Sequence, residues 1–430
     1  MNQAAHDINL QDKTYDAVVI GGGLVGGLTA LLLAQGGVQV TVLDAAPMLH
    51  AENVLNNVNP RVLALSQATI HLLKTTGVWD EIARHMPYSG MQVWNQNGYG
   101  EIEFGQASEL SPIAEQWLGT MVEPSVLNLA IQHKLQQQIQ DYRTDVKVTA
   151  LSPYNLKLQH QTSNKQGWII QLADGSILHT SLVIGADGAN SFVRNQALID
   201  LDVLDYRQAA ISCAIKTTQP HHHVARQIFL PTGPLAFLPM HSLDETEQGY
   251  WQSLVWTLPE DYADEYVVLD EQKFCQQLTQ ASLHMLGTVT KATARAHFPL
   301  KARAAKHYVT AGLALVGDAA HVIHPLAGQG VNIGCLDAAV LCDVLLHDLQ
   351  RGVWAHEQTL RRYEHQRKGQ NEAMMHGMSL LGWLETSTLS PLIFARTLGL
   401  RQVQNQTVLK DIFMQQADGL KQLKSTRYAI

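Results

Sequence analysis

Cysteine is scarce in this chain, and where it occurs it makes no pattern. Cys213, Cys275, Cys335 and Cys342 are the four in 430 residues. They show neither a C-x-x-C pair nor a zinc-ligand spacing, which argues against a disulfide framework and fits buried thiols in a reducing compartment. Positive charge is also short. The 30 Lys and Arg stand against 38 Asp and Glu, a formal net charge of −8, so a nucleic-acid partner has no electrostatic footprint; Arg396, Arg401 and Lys410 leave room only for a local basic patch. No uncharged apolar run reaches about 18 residues, so no membrane-crossing segment is expected. The opening MNQAAHDINLQDKTYD is polar and acidic, unlike a secretory signal. What remains is 46% hydrophobic and 16% charged, a globular composition long enough for two or three domains of about 100–200 residues each.

Glycine, by contrast, is placed. YDAVVIGGGLVGGLTALLLAQGGVQVTVLD, residues 15–44, reads as strand, glycine turn, helix, strand. Gly21-x-Gly23-x-x-Gly26 occupies the turn and opens the helix with Leu24 and Val25, the context in which this spacing binds a dinucleotide pyrophosphate. Asp44 ends the second strand, placed to accept from a ribose hydroxyl. The motif alone does not separate NAD from FAD. A second stretch, LVIGADGANSFVRNQA, ends a strand at Asp187-Gly188 and carries Ser191 and Arg194 into a helix. A helix-capping Asp with a surface Arg explains it equally well.

The third stretch, GDAAHVIHPLAGQGVNIG at 317–334, poses a choice. His321 and His324 have a spacing that suits a metal, but no Asp, Glu or His cluster supplies the remaining ligands, and no metal is expected. The alternative is a backbone cradle. Asp318 at a strand end meets a sugar-alcohol chain, Pro325 stiffens the loop, and Gly328, Gln329 and Gly330 let backbone approach a flat ring. Val331 and Asn332 then point N–H groups from a helix N-terminus, which favours negative charge. Between these stretches, residues of about 205–305 read as strands in series, hence an antiparallel sheet inserted into an α/β frame. HHH at 221–223 reads as a surface loop, and the chain beyond 355 as helical.

Together and in this order the three motifs resemble the class A flavoprotein aromatic hydroxylases. HPLAGQGVNIG, MVEPSVLNLAI and LPTGPLAFLPM are similar to the ubiquinone-biosynthesis hydroxylases, and the likeness runs through nearly the whole chain. The resemblance implies an α/β fold, α+β overall: a Rossmann-like FAD-binding domain of the p-hydroxybenzoate hydroxylase type, an inserted antiparallel-sheet substrate domain and a C-terminal helical region. It places the FAD-binding parts at 1–85, 120–200 and 306–355, substrate-domain parts at 86–119 and 201–305, and helices at 356–430.

The implied cofactor is FAD, with NAD(P)H as transient reductant; no second G-x-G-x-x-G is present for the latter. The implied activity is hydroxylation of a prenylated benzoquinol by O2 through a flavin hydroperoxide. Gly21, Gly23, Leu24, Val25 and Gly26 would meet the pyrophosphate, Asp44 the ribose, and Arg61 the pyrophosphate or the reductant. Asp187, Gly188 and Arg194 would serve both nucleotides. Asp318 would hold the ribityl chain, and Pro325 with Gly328, Gln329, Gly330, Val331 and Asn332 would line the ring.

Two positions depart from the family. Asp44 stands where Glu is commoner, and Pro124 where Asn or Gln often hydrogen-bonds FAD. No catalytic base is identified; Tyr206, His297 and His324 are candidates only. Expected partners are the quinol and O2, with other ubiquinone-biosynthesis proteins, the membrane surface and a second copy of the chain as further candidates. The Met- and Leu-rich tail with Trp383 and Phe394 is the segment to meet a membrane or prenyl tail. The implied location is cytoplasmic, peripheral at the inner membrane. A flavin reductase, or a non-catalytic member of a biosynthetic complex, is the alternative.

Overall fold

The computed structural model describes residues 13–96, 101–105, 117–156, 165–243, 249–323, 330–386 and 418–429. The first strand, Lys13–Ile20, ends in Ala17 to Ile20, which are almost wholly buried. An apolar run buried on both faces belongs in the middle of a parallel sheet, and it lies there, between Val40–Leu43 and Ile177–Gly185. Leu313–Leu315 extends the parallel order on one side and Asp141–Arg143 on the other. Ile20 is level with both Leu43 and Gly185, and Gly185 with Leu315. The three motif stretches therefore leave the sheet along one carboxyl edge. The chain runs to opposite sides of the first strand, so that edge also holds the switch point where open α/β sheets bind ligands.

The helix Leu24–Gln35 and the central helix Gly330–Leu349 pack together over this sheet. The central helix is long and apolar enough to cross a membrane by length and composition, although Asp337 and Asp343 interrupt its uncharged run. Its apolar window is 78% buried, so it serves here as a core helix.

Among the described residues a second sheet of nine strands is organised around the long strand Leu201–Thr217. On one face Ile211, Cys213, Leu254, Trp256 and Phe237 pack with Phe274 and Leu278 of an overlying helix. On the other, Ala214, Ala225 and Trp251 meet Val62 and Met121. This sheet is not wholly antiparallel, since Val224–Leu230 runs parallel to Gly90–Asn95.

Met86–Tyr88 pairs with Gly119–Val122 in a small third sheet, and His321–Val322 pairs with Arg303–Ala304 of the second sheet. Backbone pairing thus stitches the two layers together at points that hydrophobic pattern does not mark. The triple histidine is no simple surface loop. His221 is 2% exposed, its Nδ1 accepts from the His223 N–H at 3.0 Å, and burial first, with the neighbouring His223 charge, lowers its pKa to about 3.

Candidate functional site

Gly21 has φ +105°, and a Cβ there would stand 2.3 Å from the Ala186 oxygen. Its N–H donates to the Leu43 oxygen at 2.8 Å, while the Ala186 N–H donates to the Ile20 oxygen at 2.8 Å. The turn is thereby woven into the neighbouring motif. Gly26 brings the helix against this turn so closely that a Cβ would fall 1.9 Å from the Gly21 oxygen. Gly23, the residue before the first helical turn, has no atom within 4 Å of a would-be Cβ. Close packing at 21 and 26 and open space at 23 together make a cradle, with the first N–H groups of the Leu24–Gln35 helix facing it. Half-buried Asp44 accepts from the Ala46 N–H at 3.0 Å and overhangs Gly22.

The second motif is largely tied to itself. Asp187 accepts from Ser191 Oγ at 2.5 Å and from the Val193 N–H at 3.0 Å. Arg194 is 3% exposed and donates to the Ala319 oxygen at 2.9 Å and the Ala189 oxygen at 3.1 Å; its Nε has no partner among the described residues. Burial lowers the Arg194 pKa, with Asp187 opposing. Gly188 follows with open space around it.

Asp318 is the one accessible residue of its turn, between buried Gly317 and Ala319. Desolvation by the surrounding protein raises its pKa against the pull of His321 and Arg61. Pro325, Gly328, Gln329 and His324 lie outside the described residues. Gly330, Val331 and Asn332 begin the central helix, and the Asn332 side chain accepts from the Ser66 N–H and Thr69 Oγ1 and donates to the Ala64 oxygen.

His321 has as its partner Asp337, a carboxylate with no exposure at all. His321 Nε2 lies 2.5 Å from Asp337 Oδ2, which also accepts from the Gly317 N–H at 3.2 Å. Arg367 Nε and Asn371 Nδ2 reach Asp337 Oδ1 at 2.8 and 3.1 Å. Burial alone would raise this carboxyl; the charges of His321 and Arg367 outweigh it and hold it at about 2. Among the described residues no group of three or more His, Cys, Asp or Glu is arranged to hold a metal.

Arg61 is exposed, its guanidinium 5.8 Å from the Phe298 ring. The loop before it is fixed by Glu123, which is 4% exposed and accepts from Arg84 Nε, Arg84 Nη2 and the Asn59 N–H at 2.6, 2.9 and 2.6 Å. Arg84→Met should therefore strand a buried carboxylate and destabilise the protein by about 3–5 kcal/mol, read as a lower thermal midpoint. Pro124 sits directly after Glu123 as the first helical residue, where a missing N–H costs nothing. Of the candidate bases, the Tyr206 hydroxyl is 2.6 Å from Ser379 Oγ, and His297 pairs with Asp264 on the outer helix Glu260–Val267.

A family model described as an FAD binding domain matches residues 14–377. The chain is 37% identical to the 3-demethoxyubiquinol 3-hydroxylase of Escherichia coli, over 96% of this chain and all of that protein. It is 34% identical to the ubiquinone hydroxylase UbiL of Rhodospirillum rubrum, over 96% and 91%. The chain belongs to the FAD-dependent ubiquinone-biosynthesis hydroxylases.

Solved structures agree on the fold of this monooxygenase family. The p-nitrophenol 4-monooxygenase PnpA of Pseudomonas putida superposes with a TM-score of 0.72 at 18% identity, over 96% of this chain and 99% of that one. The probable FAD-dependent monooxygenase pqsL of Pseudomonas aeruginosa gives 0.70 at 22%, over 90% and 100%. The residues present fit FAD: an open cradle at Gly23, an accessible acid on the second strand's end, an orphaned Arg194 Nε and the exposed Asp318 carboxylate on the third motif's turn.

Proposed function

We propose that this hydroxylase inserts one oxygen atom of O2 into the ring of a polyprenylated benzoquinol, with NAD(P)H as the electron donor. The observation that carries the reading is convergence. Three motifs well separated in sequence meet on one sheet edge in a chain that matches quinol hydroxylases along nearly its whole length. Bound FAD supplies the oxygen chemistry. The chain's own part is to bind, orient and exclude water. The Gly21–Gly26 turn would seat the pyrophosphate, Asp44 the adenosine ribose and Asp318 the polyol chain. The N–H groups of Val331 and Asn332 would face the ring edge where negative charge gathers on reduction. Arg61, exposed beside the second sheet, would meet a phosphate of either nucleotide. Because the prenyl tail confines the substrate to lipid, the enzyme would work peripherally at the inner membrane.

The test is turnover of the FAD-loaded enzyme with NADH or NADPH, labelled O2 and a short-chain prenyl benzoquinol. One labelled oxygen per ring, matched to nucleotide consumed, is the expected result. Nucleotide consumption driven by the quinol without ring labelling would replace the hydroxylase reading with a reductase. No consumption at all from flavin-loaded protein would favour a non-catalytic role in a biosynthetic complex.

A further inference from the structure

The flavin loop, the Gly317–Ala319 turn that carries Asp318, is held from behind by a carboxylate that lies outside the three stretches described above. Asp318 lies between two fixed points: the Gly317 N–H donates to Asp337 Oδ2, and the Ala319 oxygen accepts from Arg194. Asp337 is in turn held by His321, Arg367 and Asn371. Arg367 Nη2 also reaches the Ile333 oxygen, at 3.4 Å, in the first turn of the central helix. One buried carboxylate therefore touches the loop that presents Asp318 and, through Arg367, the helix start that presents the Val331 and Asn332 N–H groups. Loop and helix start come from residues more than a turn apart in sequence, so their spacing is set by what joins them in space.

We propose that Asp337 is a positioning residue for FAD, fixing the distance between the Asp318 carboxylate and the N-terminus of the central helix. It touches neither substrate nor cofactor. The proposal rests on the FAD site described above and adds a residue with a definite task. The physical basis is rigidity. A polyol chain and a ring edge are joined covalently, so both contacts form at full strength only when their protein partners are held at the matching separation.

The same helix supplies the control. Asp348, near its far end, is 13% exposed and pairs with Arg362 at 2.5 Å and with Thr359, remote from the cleft edge. Its pKa is likewise depressed to about 2, Arg362 being the largest cause. It anchors the helix without touching the flavin loop.

The experiment titrates FAD into apoprotein by flavin fluorescence and records the visible spectrum of the bound flavin for wild type, Asp337→Asn and Asp348→Asn. Asp337→Asn keeps shape and one acceptor but cannot serve both donor pairs. It should lose at least about tenfold in FAD affinity with a shifted flavin absorption band, while Asp348→Asn loses thermal stability and binds FAD as the wild type does. Equal affinity in Asp337→Asn and wild type, or equal losses in both variants, would overturn the proposal. If Asp337→Asn does not accumulate as folded protein, Asn371→Leu removes one donor from Asp337 Oδ1 and should show a smaller loss of the same sign; unchanged affinity there overturns it as well. A wild-type protein that takes up no FAD would remove the cofactor reading itself, and this proposal with it.

Discussion

Gly26→Ala is expected to yield protein with a lower unfolding midpoint and no bound flavin, whereas Gly23→Ala keeps the midpoint and loses the flavin. The two glycines stand three residues apart in one motif, yet the structure assigns them different work. At Gly26 a methyl group would fall 1.9 Å from the Gly21 oxygen and 2.9 Å from the Ala186 Cβ. A backbone carbonyl cannot rotate away as a flexible side chain can, so helix and turn must separate. Overpacking of this kind costs about 1–3 kcal/mol or more, and a shift of the helix N-terminus withdraws its N–H groups from the pyrophosphate.

At Gly23 the backbone has φ −68° and ψ −170°, which alanine adopts freely, and nothing lies within 4 Å. The fold should register the change by no more than about 0.5 kcal/mol. The methyl instead fills the space where phosphate oxygens approach the backbone, and FAD affinity should fall by about a hundredfold, roughly 3 kcal/mol. Differential scanning fluorimetry of the apoproteins and fluorescence titration with FAD separate the two effects. Wild-type affinity in Gly23→Ala would mean that the pyrophosphate does not sit on this turn.

The glycine motif was legible in sequence because its chemistry is local: strand, turn and helix lie within thirty residues, and each glycine answers to a backbone neighbour. The α/β frame was legible for the same reason, since apolar runs and turn residues report short-range structure. The joints were not. Nothing local signals that His321–Val322 leaves the cofactor layer to pair with Arg303–Ala304, or that a strand at 224–230 runs parallel to one at 90–95. Arg194 read equally well as a surface arginine or a cofactor contact; it is buried, and it joins the second motif to the third through Ala319. Gly22, the middle glycine, carried no role in the motif, but a Cβ there would lie 2.6 Å from Asp44 Oδ2.

The Asp337–Arg367 pair is not among the candidates that the sequence motifs mark, although the sequence carries a signal for it. An aspartate in the middle of GVNIGCLDAAVLCDVLL is an acid on a helix that is otherwise apolar almost all round. Buried carboxylates survive only with partners, so its presence demanded a cation from elsewhere in the chain. Sequence could not say which, because thirty residues and a turn separate Asp337 from Arg367.

That pair gives the second large effect. Arg367→Met should destabilise the protein by about 3–5 kcal/mol at neutral pH, because it leaves a fully buried carboxylate with weakened compensation. The sign with pH discriminates this cause from simple loss of packing. In the wild type, Asp337 has a folded pKa of about 2, below the value near 4 expected unfolded. It therefore contributes stability above that unfolded value, and the contribution disappears as pH falls through the folded one. Without Arg367, burial is opposed only by His321, Asn371 and the Gly317 N–H, and the carboxyl rises. A raised folded pKa reverses the linkage, so the variant is penalised while Asp337 is ionised and relieved as it takes up a proton. The gap in midpoint between Arg367→Met and wild type should hence narrow as pH is lowered from neutral towards 3. The double variant Asp337→Leu with Arg367→Met should recover much of the neutral-pH loss, since replacing a whole buried pair by apolar groups is often near neutral. A gap that stays constant with pH, joined to additive losses in the double variant, would mean that Arg367 acts by filling space and not by charge. The depressed carboxyl at the base of the flavin loop would then have to owe its state to His321.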